Sequence, residues 1–211
     1  MKKRISKLQY ITQATEKLSH VQAAKNACEA GCDWVQLRVK NASLDDVSKI
    51  AREVRQICDQ YQATFIMNDY VEVAKAVKAD GVHLGKEDMS PAVARQILGN
   101  DVIIGGTGNT FEGVQKLAEA KVDYMGVGPF RFTTTKQKLS PILGLEGYKI
   151  LIEQCEVHNI QIPIVAIGGI LTEDVEAIMQ TGVHGIAVSG LITNHSERLE
   201  LVRKLQKQLV G

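Results

Sequence analysis

Eight short apolar runs rich in β-forming residues alternate along the chain with stretches of helical period, and this alternation constrains the fold most. The runs lie at 8–12, 34–39, 64–67, 81–84, 102–105, 124–128, 164–167 and 185–189. After the second run, Leu44, Val47, Ala51, Val54, Cys58 and Tyr61 recur at three- and four-residue steps and draw one apolar stripe. Val114, Leu117 and Ala118 repeat the pattern, as do Leu199, Val202, Leu205 and Leu209 near the end. Helix starts are marked as well. Ser19-x-x-Gln22 and Ser43-x-x-Asp46 have the form of capping boxes, and Ser90-Pro91 sets a capping hydroxyl before a proline suited to the first turn. Strand-like runs each followed by a helix-like stretch predict parallel β/α units. An open doubly wound sheet more often has five or six strands and would carry a GxGxxG turn after the first, and none follows residues 8–12. Eight units in 211 residues predict a small (β/α)8 TIM barrel, one domain spanning 1–211.

Composition removes several functions. Lys and Arg total 25 against 24 Asp and Glu, with no basic cluster, which argues against a nucleic-acid binder. No apolar run approaches the roughly 18 residues of a membrane span. The basic tip Met1-Lys2-Lys3-Arg4 lacks a signal-peptide core behind it, because Gln9, Thr12, Gln13 and Thr15 interrupt the apolar residues. Cys28, Cys32, Cys58 and Cys155 form no CxxC pair, which argues against zinc and disulfides and for a reduced, cytoplasmic setting. Homo-oligomerisation is left open.

A barrel places its active site at the C-terminal ends of its strands, and the polar residues there are unevenly distributed. On the second strand, Gln36, Arg38 and Lys40 share one face, opposite Leu37 and Val39. A solvated face is the ordinary reading of three such residues, but a closed barrel has no edge, so a ligand-facing role gains weight. Asn68 and Asp69 follow the third strand, and Asp88 follows the fourth. Two carboxylates beyond adjacent strands suit Mg2+, which keeps several waters and shares phosphate oxygens; a helix cap and a solvated loop are the plain alternatives. Thr107 ends the fifth strand, and the long sixth loop carries Thr133, Thr134, Thr135 and Lys136, either a phosphate lid or a surface loop. Gly168 after the seventh strand, with Ser189 and Gly190 after the eighth, would let backbone N–H groups approach a phosphate, or simply turn the chain tightly. Two anionic subsites result: one cationic and metal-assisted, fit for a diphosphate, and one of neutral backbone, fit for a monophosphate.

These elements together resemble the thiamine-phosphate synthase (thiamine-phosphate pyrophosphorylase) family. The resemblance rests on Gln36-Leu37-Arg38-Val39-Lys40, Asn68-Asp69-Tyr70, the stretch from Gly81 to Asp88, Gly128-Pro129 with Thr133-Thr134-Thr135-Lys136, and Ala166-Ile167-Gly168-Gly169-Ile170. It implies small-molecule substrates: a hydroxymethylpyrimidine diphosphate and a thiazole phosphate, plain or carboxylated, joined with release of diphosphate. By position it makes Asp69 and Asp88 the Mg2+ ligands, and Arg38, Lys40, Asn68 and Lys136 the diphosphate contacts. Gln36 and Thr107 then face the pyrimidine and the departing oxygen, and Thr133, Thr135, Gly168, Ser189 and Gly190 the thiazole phosphate. Arg38, Lys40, Lys136 and Thr107 form its catalytic set. The chain departs from the family pattern at Phe132, where proline is usual, at Gln137-Lys138, where an acidic residue is usual, and at Ser189, one place early. The rival readings are the sister thiazole tautomerases, which lack the acidic pair and loop lysine and carry a histidine after the fifth strand, and a non-catalytic precursor-binding barrel.

Overall fold

The computed structural model describes residues 5–132 and 141–210. Its strands are β1 (Leu8–Ile11), β2 (Trp34–Leu37), β3 (Thr64–Asn68), β4 (Gly81–Leu84), β5 (Ile103–Gly108), β6 (Tyr124–Val127), β7 (Ile164–Ile167) and β8 (Gly185–Val188). They close in sequence order into one parallel barrel, the predicted architecture. The helices between them are α1 (His20–Glu29), α2 (Leu44–Gln60), α3 (Val71–Ala76), α4 (Pro91–Leu98), α5 (Phe111–Glu119), α6 (Gly144–Val157) and α7 (Val175–Met179). A short α8 (Gly190–Thr193) and the long α9 (Arg198–Val210) follow β8. No helix among the described residues is long and apolar enough to cross a membrane.

The expected serine caps are in place, but the side chains that would complete the capping boxes go elsewhere, Gln22 to Asn26 and Asp46 to the Ser43 hydroxyl. Ser19, Ser43 and Ser90 accept from the backbone N–H of Gln22, Asp46 and Val93, and Pro91 opens α4. In α2 the stripe of Val47, Ala51, Val54 and Cys58 is buried, but Leu44, in the first turn, is exposed. In α9 Leu199 is likewise exposed, and Leu201 joins Val202, Leu205 and Leu209 in the core. Period finds the buried face of a helix; it does not show where the first turn overshoots the strands it covers. β5 runs three residues past its apolar pattern, because Thr107 and Gly108 pair with Gly126 and Val127 despite the weak strand propensity of the glycines around them. β2 stops at Leu37, and the Arg38 N–H turns to the Thr12 hydroxyl instead of a ladder partner.

The barrel interior is filled by Ile11, Trp34, Ile66, Ile103, Tyr124, Val165 and Ala187. Trp34 and Tyr124 meet edge to face with ring centroids 4.9 Å apart, a geometry worth about 0.5–1.5 kcal/mol beyond burial. Such large rings fit only because a neighbour has no side chain. A Cβ on Gly105 would stand 2.2 Å from the Tyr124 ring.

At the N-terminal rim one device occurs twice. Asp80 accepts from the Phe65 N–H and pairs with Arg55 at 2.9 Å; Asp123 accepts from the Ile104 N–H and pairs with Arg95 at 2.6 Å. Each aspartate thus ties a strand start to the helix packed outside it, and this rim is the stabilising one in such barrels.

Gly105→Ala should cost about 1–3 kcal/mol through overpacking against Tyr124, read as a lower urea midpoint at unchanged m. Gly113→Ala is the control. The nearest atom to its Cβ would be the oxygen of the capping Thr110 at 3.5 Å, an ordinary contact, and it should be neutral or gain no more than about 1 kcal/mol.

Candidate active site

The C-terminal ends of β2, β3 and β4 bring charge together. Lys40 pairs with Asp69, whose side chain is 17% exposed against 47% for the lysine. Asp69 stands in the left-handed region at φ 68°, a conformation uncommon outside glycine and frequent at functional sites. Its N–H is held by the His83 carbonyl at 3.0 Å. Asp88 accepts from the Gly85 N–H at 2.6 Å and reaches back to hydrogen-bond the Asp69 carboxyl. Burial, then the Asp88 hydrogen bond, raises the Asp69 carboxyl above the ordinary aspartate value, against the opposing pull of Lys40. Burial also raises Asp88, but the bond to Asp69, the Gly85 amide and the Lys40 charge outweigh it, and its carboxyl lies low. Asn68, the last residue of β3, is buried, and its Nδ2 has no partner among the described residues.

Beside this cluster opens a cavity of about 530 Å3, a size suited to a small organic ligand. Arg38, Lys40 and His20 line one side, and Gly168, Ser189 and Gly190 the other. Thr12 links the cationic side to the barrel: its hydroxyl accepts from the Arg38 N–H and lies 2.9 Å from His20 Nδ1. Burial, then the Arg38 charge, lowers the His20 pKa. Gly168 takes φ 100°, and any side chain there would collide with Pro129 at 2.8 Å, so the β7 turn offers bare backbone. The Ser189 hydroxyl donates to Gln13 at 3.3 Å, which leaves the start of α8 to present backbone. A latch joins the neighbouring loops. Arg131 donates to both carboxylate oxygens of Asp174, at 2.8 and 2.9 Å, and to the Gly169 carbonyl at 2.8 Å.

Gln36 and Thr107 do not line that cavity; they end a file of hydrogen bonds through the barrel. Gln36 Nε2 donates to Gln9 Oε1 at 3.1 Å, and Gln9 Nε2 donates to the Tyr124 hydroxyl at 3.1 Å. That hydroxyl lies 3.0 Å from His83 Nδ1, and His83 Nε2 lies 2.9 Å from the Thr107 hydroxyl. Burial pushes the Tyr124 phenol far above its ordinary pKa, so this link stays neutral.

The ten predicted residues that are described therefore fall at one end of the barrel: Lys40, Asp69 and Asp88 in direct contact, Asn68 beside them, Arg38, Gly168, Ser189 and Gly190 around the cavity with Lys40, and Gln36 and Thr107 at the ends of the file. Thr133, Thr135 and Lys136 lie outside the described residues. Sequence reasoning missed Gln9, His83, Tyr124, Gln13 and His20. A signal for the first existed: a glutamine inside an apolar strand of a closed barrel needs a polar partner indoors.

Comparison with known proteins adds the following. The family model described as thiamine monophosphate synthase matches residues 8–192. The chain is 50% identical over 198 residues to a thiamine-phosphate synthase of Bacteroides fragilis, covering 94% of this chain and 97% of that one. It is 50% identical over 204 residues to a thiamine-phosphate synthase of Flavobacterium psychrophilum, covering 97% and 99%. Among solved structures, thiamine phosphate pyrophosphorylase from Pyrococcus furiosus superposes with a TM-score of 0.83 at 34% identity, covering 97% of this chain and 95% of that one.

The Asp69–Asp88 pair carries a stability signature. A carboxyl raised in the folded state keeps a proton that the unfolded chain releases, so stability falls as pH climbs from the ordinary aspartate value through the raised one. With divalent cations removed by chelation, the urea midpoint should drop across that window, and Asp69→Asn should flatten the slope. An unchanged slope in Asp69→Asn would show that this carboxyl is not the titrating group.

Proposed function

This chain belongs to the thiamine monophosphate synthase family, a family of transferases, and from that premise we propose how its residues share the work of condensing 4-amino-5-hydroxymethyl-2-methylpyrimidine diphosphate with a thiazole phosphate. The observation that carries the reading is the contact of Lys40 with Asp69, and of Asp69 with Asp88, beside a cavity lined both by Lys40 and by the bare backbone turn at Gly168. A cationic, carboxylate-bearing end and a neutral backbone end suit a diphosphate and a monophosphate in one chamber.

Arg38, Lys40, Asn68 and Lys136 hold the diphosphate, and the unpartnered Asn68 amide supports this assignment. Gln36 faces the pyrimidine and Thr107 the departing oxygen. Gly168, with Ser189 and Gly190, takes the thiazole phosphate, helped by Thr133 and Thr135; the short α8 behind β8 is the place where this fold recurrently binds phosphate. Asp69 and Asp88 fit a magnesium site: their oxygens lie close enough to share a proton, which a divalent cation would replace, and two carboxylates with substrate phosphate and water are a usual Mg2+ donor set. Mg2+ held there would add positive charge against the leaving diphosphate.

In the reaction, the bond between the pyrimidine methylene carbon and the diphosphate oxygen breaks, and its electron pair leaves with the diphosphate. The thiazole nitrogen lone pair then closes on the methylene cation. No proton is transferred in this bond exchange, so the residues act by fixed charge and position, with preorganised donors at the developing anion supplying the largest share. The place after β5 supports this reading over a tautomerase: Asn109 is buried with its amide on the Gly128 carbonyl, a residue with no proton to exchange at neutral pH. Four buried, free cysteines support a cytoplasmic setting.

Mg2+-dependent diphosphate release from the two precursors is the direct assay, and its absence would remove the reading. Asp69→Ala and Asp88→Ala should each lower turnover by about a hundredfold or more with the fold intact by circular dichroism. Lys136→Ala should lower kcat by about tenfold to several hundredfold, since its contact strengthens as charge develops. Lys138→Ala should stay near wild type. Equal single-turnover rates for the two lysine variants, with both substrates saturating, would return Lys136 to the surface.

A further inference from the structure

The file from Gln36 to Thr107 passes through three residues that have so far been given no part in the reaction. Each of its links carries one proton, so the direction of one link sets the next. The Tyr124 hydroxyl accepts from Gln9, which leaves its own proton for His83 Nδ1. The imidazole then carries its hydrogen on Nε2 and donates it to the Thr107 oxygen. Thr107, half-buried at the end of β5, keeps its hydroxyl proton for whatever lies beyond the strand. At the other end Gln36 has given an N–H to Gln9, and its Oε1 is left as the group it presents.

The opposite direction is also self-consistent. Thr107 would donate to Nε2, Nδ1–H to Tyr124, Tyr124 to a turned Gln9, and Gln9 to a turned Gln36. No net charge separates the two directions, but they present opposite faces: a donor at Thr107 with an acceptor at Gln36, or the reverse.

We propose that Gln9, Tyr124 and His83 are positioning residues that preset the first direction, so that Gln36 accepts from the amino group of the pyrimidine while Thr107 donates to the oxygen that departs. This rests on the function proposed above. A ligand group that donates to Gln36 holds the file in the productive direction, and one that accepts there turns the Thr107 proton inward, away from the developing anion. Recognition of the ring is thereby tied to stabilisation of the leaving group through neutral bonds alone. The surroundings keep the file intact: Tyr124 is clamped between Trp34 and Gly105, and a Cβ on Gly126 would stand 3.0 Å from the His83 ring, so both rings hold one pose.

The first test needs no turnover. In the wild-type chain labelled with 15N-histidine, the His83 ring, assigned by its loss in His83→Gln, should show a protonated Nε2 and a bare Nδ1. A protonated Nδ1, or an imidazolium at neutral pH, overturns the assignment. The second test is kinetic. Tyr124→Phe keeps the packed ring and removes only the hydroxyl, and kcat should fall about tenfold or more, the size of one lost donor, with a smaller change in KM for the pyrimidine diphosphate. Tyr124→Phe combined with Thr107→Val should be no slower than Thr107→Val alone, because Tyr124 acts through Thr107. Multiplying losses in the double variant would make Tyr124 structural and overturn the coupling. A chain that shows the expected tautomer but forms no thiamine phosphate would sink the proposed function and leave the preset file standing.

Discussion

A phenol buried at the centre of a closed barrel must find hydrogen-bond partners inside it, and the Tyr124 hydroxyl finds two, Gln9 and His83. That requirement shapes much of the interior. The ring needs Gly105 beneath it and Trp34 at its edge, so β2, β5 and β6 are fixed relative to one another by a single side chain. Gln9 must then be satisfied as well, which draws in Gln36, and His83 in turn draws in Thr107. The packed core and the C-terminal end of the barrel are therefore not separable layers: the polar atoms that the core had to accommodate are the ones that hold Gln36 and Thr107, the residues proposed to face the substrate.

The two ends of the barrel divide their tasks in the expected sense, and the residues show how. At the N-terminal rim, Arg55–Asp80 and Arg95–Asp123 neutralise their charges and satisfy strand N–H groups in the same stroke. At the C-terminal end the balance is relaxed. Asp69 sits in a left-handed conformation facing another carboxylate, and Asn68 keeps an amide without a partner among the described residues. Each of these costs stability, and the proposed diphosphate and magnesium would offset that cost.

The alternation of runs, the serine caps and the grouping of Lys40, Asp69 and Asp88 were all legible in the sequence, because each depends on neighbours in the chain or on strands that pair consecutively. The file through Tyr124 was not. Gln9 and Tyr124 are 115 positions apart and meet across the barrel, so no local period relates them. The apolar run of the fifth strand stops at Gly105, and what carries the ladder through Thr107 to Gly108 is pairing with β6, which no local pattern shows. Propensity speaks for a segment; closure of the barrel speaks for all of them at once.

The latch between Arg131 and Asp174 carries an evolutionary consequence. The guanidinium bridges the root of the strand-six loop to the turn that contains Gly169, and adds a side-chain fastening to the backbone bonds from the Phe130 and Arg131 N–H groups to the Ile167 and Gly168 carbonyls, although the two loops belong to different β/α units. A change at Asp174 alone would leave the cation beside a carbonyl, and a change at Arg131 alone would leave a carboxylate that is 12% exposed with the Leu171 N–H but no counter-charge from the neighbouring loop. The two positions are thus physically coupled. In the divergence of related barrels they are expected to be kept, or exchanged for another pair, together, and a loop grafted from a relative without its partner would keep the backbone bonds but lose this charged clasp.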